Sequence, residues 1–141
     1  MADLVARAST TVDAPLAKVW DALVNPETIR RYMLGTTVVS AWKKGSPIVW
    51  KGQWKGKAYE DKGVILEVDR ERRLRYTHFS PLAGAPDVPE SYHKVTVDLS
   101  VESGRVRVAL TQDNCPTPEA REHWERNWAG MLASLKKVVE A

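Results

Sequence analysis

Residues 36 to 114 fall into six segments: "TTVVSAW", "PIVWKGQW", "KAYEDKGVILEVD", "RLRYTHF", "SYHKVTVDLSV" and "RVRVALTQD". Within them apolar and polar residues alternate with the period of two that marks strands buried on one side. Most of the breaks between them, "KKGS", "KG", "RER" and "ESG", are of hairpin length and carry glycine or polar residues. Short connections force antiparallel neighbours, so this stretch makes one antiparallel sheet. Its apolar face must be covered, and the C-terminus supplies the cover. Thr117 is a suitable N-cap, Pro118 a suitable first residue, and Glu119 suits the positive end of a helix. Beyond them Trp124, Trp128, Met131, Leu135 and Val138 recur every three or four residues as one wide apolar stripe. A helix of about 23 residues is a rod of roughly 34 Å.

Ahead of the sheet, "LVARASTTV" (residues 4–12) reads as a strand. Asp13 is placed to cap a following helix whose first turn accepts Pro15. Leu16, Val19, Trp20 and Leu23 give that helix one apolar face. Asn25-Pro26 ends it, because a residue before proline is driven out of the helical region, and "PETIRRYM" starts a second short helix. The order is strand, two short helices, six strands and a long helix: an α+β chain in one domain, residues 1–141. The loop "SPLAGAPDVPE", with three prolines, is expected to lack regular structure.

No apolar run reaches the length of a membrane span, and the N-terminus has no signal-peptide pattern, so a cytoplasmic location is expected. Cys115 is the single cysteine, which excludes an intrachain disulfide and a cysteine metal cluster. The net charge is +3, yet residues 42–75 hold ten basic and five acidic side chains. With the aromatics of "VWKGQWKGKAY", this raises single-stranded nucleic acid as a partner. Strand alternation argues against it: Ile48, Trp50, Gly52 and Trp54 share one face, and Lys51 and Lys55 take the other. A stacking groove needs both kinds of residue on one surface. The basic stretch is read as a solvated sheet face, with no nucleic-acid partner.

The stretches "VDAPLAKVWDALVNPETIRRYM", "KGVILEVDRERRLRYTHFSP", "PESYHKVTVDLS", and "LTQDN" with "NWAGMLASLKKVVE" resemble, in this order, the START-like (SRPBCC) superfamily. Within it they resemble the family named after the activator of heat-shock-protein-90 ATPase homologues. The resemblance spans nearly the whole chain and implies the helix-grip (START-like, Bet v 1-like) fold. There a curved antiparallel sheet wraps around the long C-terminal helix and leaves a cavity between them. Superfamily members bind lipids, sterols, polyketides or plant hormones in that cavity, and a few catalyse cyclisation. Co-chaperone members carry an additional N-terminal domain, whereas this chain begins at the module's first strand. The chaperone activity is therefore not carried over with the family.

The candidate polar groups are few. Tyr76 and His78, two residues apart on one strand, point the same way. His93 shares its face with Val95, Val97, Leu99 and Val101 and is expected to point inward. Gln112 lies on the apolar face of Val106, Val108 and Leu110 and needs a partner if buried. His123 lies on the terminal helix. No His-x-His or HExxH spacing occurs, so no metal and no cofactor is expected. Cys115, with no histidine near it in sequence, reads as a loop residue before the helix, and no nucleophile motif is present. Trp50, Trp54, Tyr76, His78, His93, Gln112, Trp128 and Met131 are the expected ligand-binding set. The reading is a non-enzymatic protein holding a small apolar or amphipathic molecule. Its alternatives are a chaperone-associated or other protein-interaction module, and a cyclase- or dehydratase-like enzyme using His78 or His93 with Tyr76.

Overall fold

A computed structural model describes residues 4–33, 35–54, 56–81 and 84–141; the Trp54 side chain lies outside the described residues. Strand β1 (Leu4–Val12) leads into α1 (Leu16–Val24) and α2 (Pro26–Tyr32). Strands β2 (Thr37–Ser40), β3 (Pro47–Trp54), β4 (Lys57–Asp69), β5 (Arg73–His78), β6 (His93–Glu102) and β7 (Arg105–Cys115) follow, then helix α3 (Pro118–Glu140). The seven strands form one sheet in the order β1-β7-β6-β5-β4-β3-β2, antiparallel throughout. Consecutive strands pair as hairpins except β1, which reaches the far edge beside β7. This is the helix-grip fold: a curved sheet with α3 across one face.

Alternation selects the buried face. Val95, Val97 and Leu99 of β6 face the core with Val106, Val108, Leu110 and Gln112 of β7. From α1, Val19, Trp20 and Leu23 join them, as their spacing requires. The terminal stripe is wide enough to offer two rows. Leu132, Leu135 and Val139 are the buried residues of α3, while Trp128, Met131 and Val138 flank them half-buried. Thr117 caps α3 as expected, its Oγ1 accepting from Ala120 N at 3.0 Å. Asn25, which ends α1, also caps α2 by accepting from Glu27 N at 3.0 Å.

Several local expectations fail, each for a visible reason. Asp13 does not cap α1; Pro15 stands at that position without a side-chain bond, and the Asp13 amide donates to Glu140 Oε2 at 2.7 Å. Strand β2 stops at Ser40 because the Trp42 amide turns back to Ser40 Oγ (3.0 Å), with Trp42 at φ 56°. The proline-rich loop does contain regular structure: among its described residues a 3-10 turn lies at Pro89–Ser91. Cys115 is the last, buried residue of β7 and not a loop residue.

The basic stretch is interleaved with carboxylates across the sheet. Lys51 pairs with Glu60 (4.0 Å), Arg73 with Asp98 (2.6 Å), and Arg75 with Glu67 (3.8 Å). Exposed pairs of this kind contribute little stability, and of the three only Asp98 brings a carboxylate from outside the basic stretch. Among the described residues no helix is long and apolar enough to cross a membrane.

Candidate functional site: an acceptor-rich aromatic cavity

The site begins with the alternation of β4. Tyr59, Asp61, Gly63 and Ile65 share one parity, so a carboxylate is set in the face that otherwise looks toward α3. Next to it β5 presents Tyr76 and His78. The two strands approach unusually closely at Gly63, where an added Cβ would lie 1.7 Å from the Thr77 carbonyl oxygen. Asp61 Oδ2 and His78 Nε2 are 2.9 Å apart, with side chains 16% and 14% exposed. A carboxylate oxygen can only accept, so the proton of this bond sits on Nε2. In a neutral ring the Nδ1 of His78 is then a lone-pair acceptor.

Three buried side-chain atoms have no hydrogen-bond partner among the described residues: Asp61 Oδ1, His78 Nδ1 and Gln112 Nε2. Leaving such a group unpaired costs about 1–3 kcal/mol, so two on the contacting pair Asp61 and His78 mark a place where packing has not been optimised for its own sake. The Gln112 side chain does have one bond, its Oε1 accepting from Trp128 Nε1 at 2.7 Å.

Beside Asp61 and His78 lies a cavity of about 190 Å³, walled by Trp50, Tyr76 and Trp128 and reached by Met33, Thr36 and Tyr59. Tyr59 is laid against Gly52, whose Cβ would meet the phenol oxygen at 2.6 Å, and its hydroxyl meets Thr36 Oγ1 at 2.6 Å. A second cavity of about 360 Å³ is bounded by Ser80, Ala85, Glu90 and Ser91 of the proline-rich loop, and His78 walls both. His93 and Trp124 belong to this second space. The rings make a continuous aromatic lining: Trp50 stands edge-on to His78 at 5.1 Å, and Trp124 stacks with Trp128 at 6.2 Å. Asn114 Nδ2 donates to the Glu90 carbonyl (2.7 Å), and Tyr92 donates to Asp87 (2.7 Å), fixing the loop's second half to the sheet.

His93 Nδ1 is 3.0 Å from the Asp113 carbonyl oxygen, which fixes the proton on Nδ1 and leaves Nε2 as an acceptor. Burial lowers the His93 pKa below its ordinary value of 6.5, with a smaller push from His78 and an opposing pull from Asp113. The unfolded chain therefore takes up a proton at a pH where folded His93 does not. This contribution is complete above pH 6.5 and lost as pH falls through the depressed folded value. Urea midpoints are expected to drop from pH 7.5 toward about pH 5, and His93→Gln is expected to flatten that part of the profile. Burial likewise pushes the Tyr76 phenol above its ordinary range, so it remains a neutral donor.

Of the expected set, Trp50, Tyr76, His78 and Trp128 come together around one cavity. His93 joins through its cross-strand pairing with His78. Met131 lies deeper, with Trp50 and Tyr76, at a space of only about 30 Å³ that is in effect filled core. Gln112 stands behind Trp128, and His123 is exposed on α3, 3.2 Å from Asn127. Sequence reasoning missed Asp61, Tyr59 and Trp124. The parity of β4 was the signal for the first two, and a place one turn before Trp128 the signal for the third. Among the described residues no group of three or more histidine, cysteine or acidic side chains is placed to hold a metal.

The solution structure of ChR145 from Cytophaga hutchinsonii matches with 58% identity, over 97% of this chain and 94% of that one, at a TM-score of 0.85. More distant is the Aha1 dimer from Colwellia psychrerythraea, at 18% identity over 97% and 96% of the two chains and a TM-score of 0.76. CalU16 from Micromonospora echinospora matches at 19% identity over 99% and 87%, with a TM-score of 0.74. These last two likenesses carry the fold alone. No curated protein matches the chain. The family described as activator of Hsp90 ATPase homolog 1-like protein matches residues 13–140, and this chain belongs to that family.

Proposed function

We propose that this chain is a binding protein that holds a small amphipathic molecule between the sheet and α3 and does not transform it. The observation that carries the reading is an aromatic-walled cavity two of whose wall residues, Asp61 and His78, carry buried polar atoms without a partner among the described residues. Aromatic walls with a few convergent polar groups are what an orienting site for a small molecule requires. The volume of about 190 Å³ exceeds the roughly 150 Å³ in which an apolar protein cavity accepts benzene. The enzymatic reading has less support. What lacks support is a pairing of either histidine with Tyr76: His93 Nδ1 donates to the Asp113 carbonyl, and the partner of His78 is Asp61. A role in engaging a protein partner rests on family membership and on the dimer formed by the Colwellia psychrerythraea relative.

Native mass spectrometry of the protein purified from its own host is expected to show a retained small molecule, lost on Trp128→Ala while the fold persists by circular dichroism. Folded Trp128→Ala retaining the same molecule at the same occupancy would remove this cavity as its site.

A further inference from the structure

The charge and hydrogen-bonding character of the cavity narrow what it can hold. Among the described residues that wall the two cavities, the charged side chains are carboxylates, Asp61 and Glu90, with neither lysine nor arginine, in a chain whose net charge is +3. Two residues that wall the smaller cavity, Asp61 and His78, carry buried atoms without a partner among the described residues, a carboxylate oxygen and Nδ1. In a neutral His78 ring with its proton on Nε2, both are acceptors. The other histidine, held neutral by burial, turns its own acceptor nitrogen away from the Asp113 carbonyl. The remaining titratable wall groups, Tyr59 and Tyr76, are phenols, and Tyr76 is kept neutral by burial. An anion meets here a carboxylate and no cation. A neutral alcohol has one hydrogen to give. An ammonium carries three donors and the opposite charge, and the indole and phenol rings around it favour a cation over a neutral group.

We infer that this cavity selects a protonated amine carried on an aromatic or apolar body, with the ammonium set against the Asp61 carboxylate beside Trp50 and Trp128. The inference rests on the proposed binding cavity and names the class of molecule it takes. The body of the ligand extends toward the larger cavity, which shares His78 as a wall.

Three probes with one ring and similar length test it on the intact chain at pH 7.5: 2-phenylethylamine, 2-phenylethanol and 3-phenylpropionate, titrated by amide and indole chemical shifts. The amine is expected to bind about tenfold or more tighter than the alcohol, with the carboxylate weakest. Asp61→Asn is expected to reduce the amine to the alcohol's affinity while changing the alcohol by no more than about twofold. The ranking on the unsubstituted chain stands whatever that substitution does to folding. Alcohol or carboxylate binding as tightly as the amine, with shifts at Trp50, Tyr76 and Trp128, overturns the inference and leaves the cavity reading intact. Failure of all three probes to move those resonances overturns both.

Discussion

Gly63→Ala is expected to lower the stability of the chain by about 3 kcal/mol or more, the upper range for overpacking a buried position. The atom in the way is a backbone carbonyl oxygen, Thr77 O, at 1.7 Å from the new methyl, with the Thr77 carbon at 2.5 Å. Neither can rotate aside as a flexible side chain would, so β4 and β5 must part. Two structural consequences follow from parting them. The Lys62–Phe79 bridge, in which each amide bonds the other's carbonyl at 3.0 and 2.7 Å, is strained. The Asp61–His78 contact, one residue to either side of that bridge, is pulled apart as well. Urea unfolding reads the first effect, and the imidazole resonances of His78 read the second. Gly130→Ala supplies the contrast: nothing lies within 4 Å of its added Cβ, and a helix interior favours alanine over glycine by about 0.5–1 kcal/mol. Similar losses for both variants would remove the close approach at Gly63 as the cause.

Leu135→Ala is expected to cost about 2–5 kcal/mol, the range for emptying a buried leucine site. Leu135 is fully buried and lies between Leu132 and Val139 in the row that α3 sets against the sheet. Removing its isobutyl group leaves space that neither the helix nor the strands can close without moving the others. Met131→Ala, on the half-buried flank of the same helix, is expected to cost clearly less, because an exposed edge lets neighbours and water relax into the gap. Equal losses at the two positions would mean that the buried row has been assigned to the wrong face of α3.

Most of the architecture was readable because one property, alternation, fixed it repeatedly. The limits of β1, β3 and β4 follow from period-two patterns ended by proline, glycine or a charged turn. Where a segment's end depends on a single hydrogen bond, the pattern was silent. Nothing in "TTVVSAW" reveals that the Trp42 amide turns back to Ser40, or that Trp42 adopts a left-handed backbone. Asp13 illustrates the opposite error: a good capping residue lies two positions before the actual N-cap, Pro15, and its backbone amide donates to Glu140 at the far end of the chain. The site was half legible for a related reason. Tyr76, His78 and Trp128 stand out as polar or aromatic residues on apolar faces. Asp61 sits in a run of charges, "YEDK", and composition hides it there; only its parity distinguishes it from Glu60 and Lys62. That the Asp61 and His78 side chains touch depends on how closely two backbones approach, which no periodicity encodes.

The place of β1 in the sheet also constrains the order of events during synthesis. Its partner is β7, with Val12 opposite Val106 and Leu4 opposite Cys115, so within this sheet the first strand in sequence is completed by the last. Strands β2 to β6 can zip as hairpins as they emerge, since each pairs with its neighbour in sequence. The β1 edge cannot close until about a hundred further residues have left the ribosome, and closing so long a loop is entropically slow. Until then an apolar strand waits unpaired, and the nascent chain is most exposed to aggregation or to capture by a chaperone in the interval just before α3 appears.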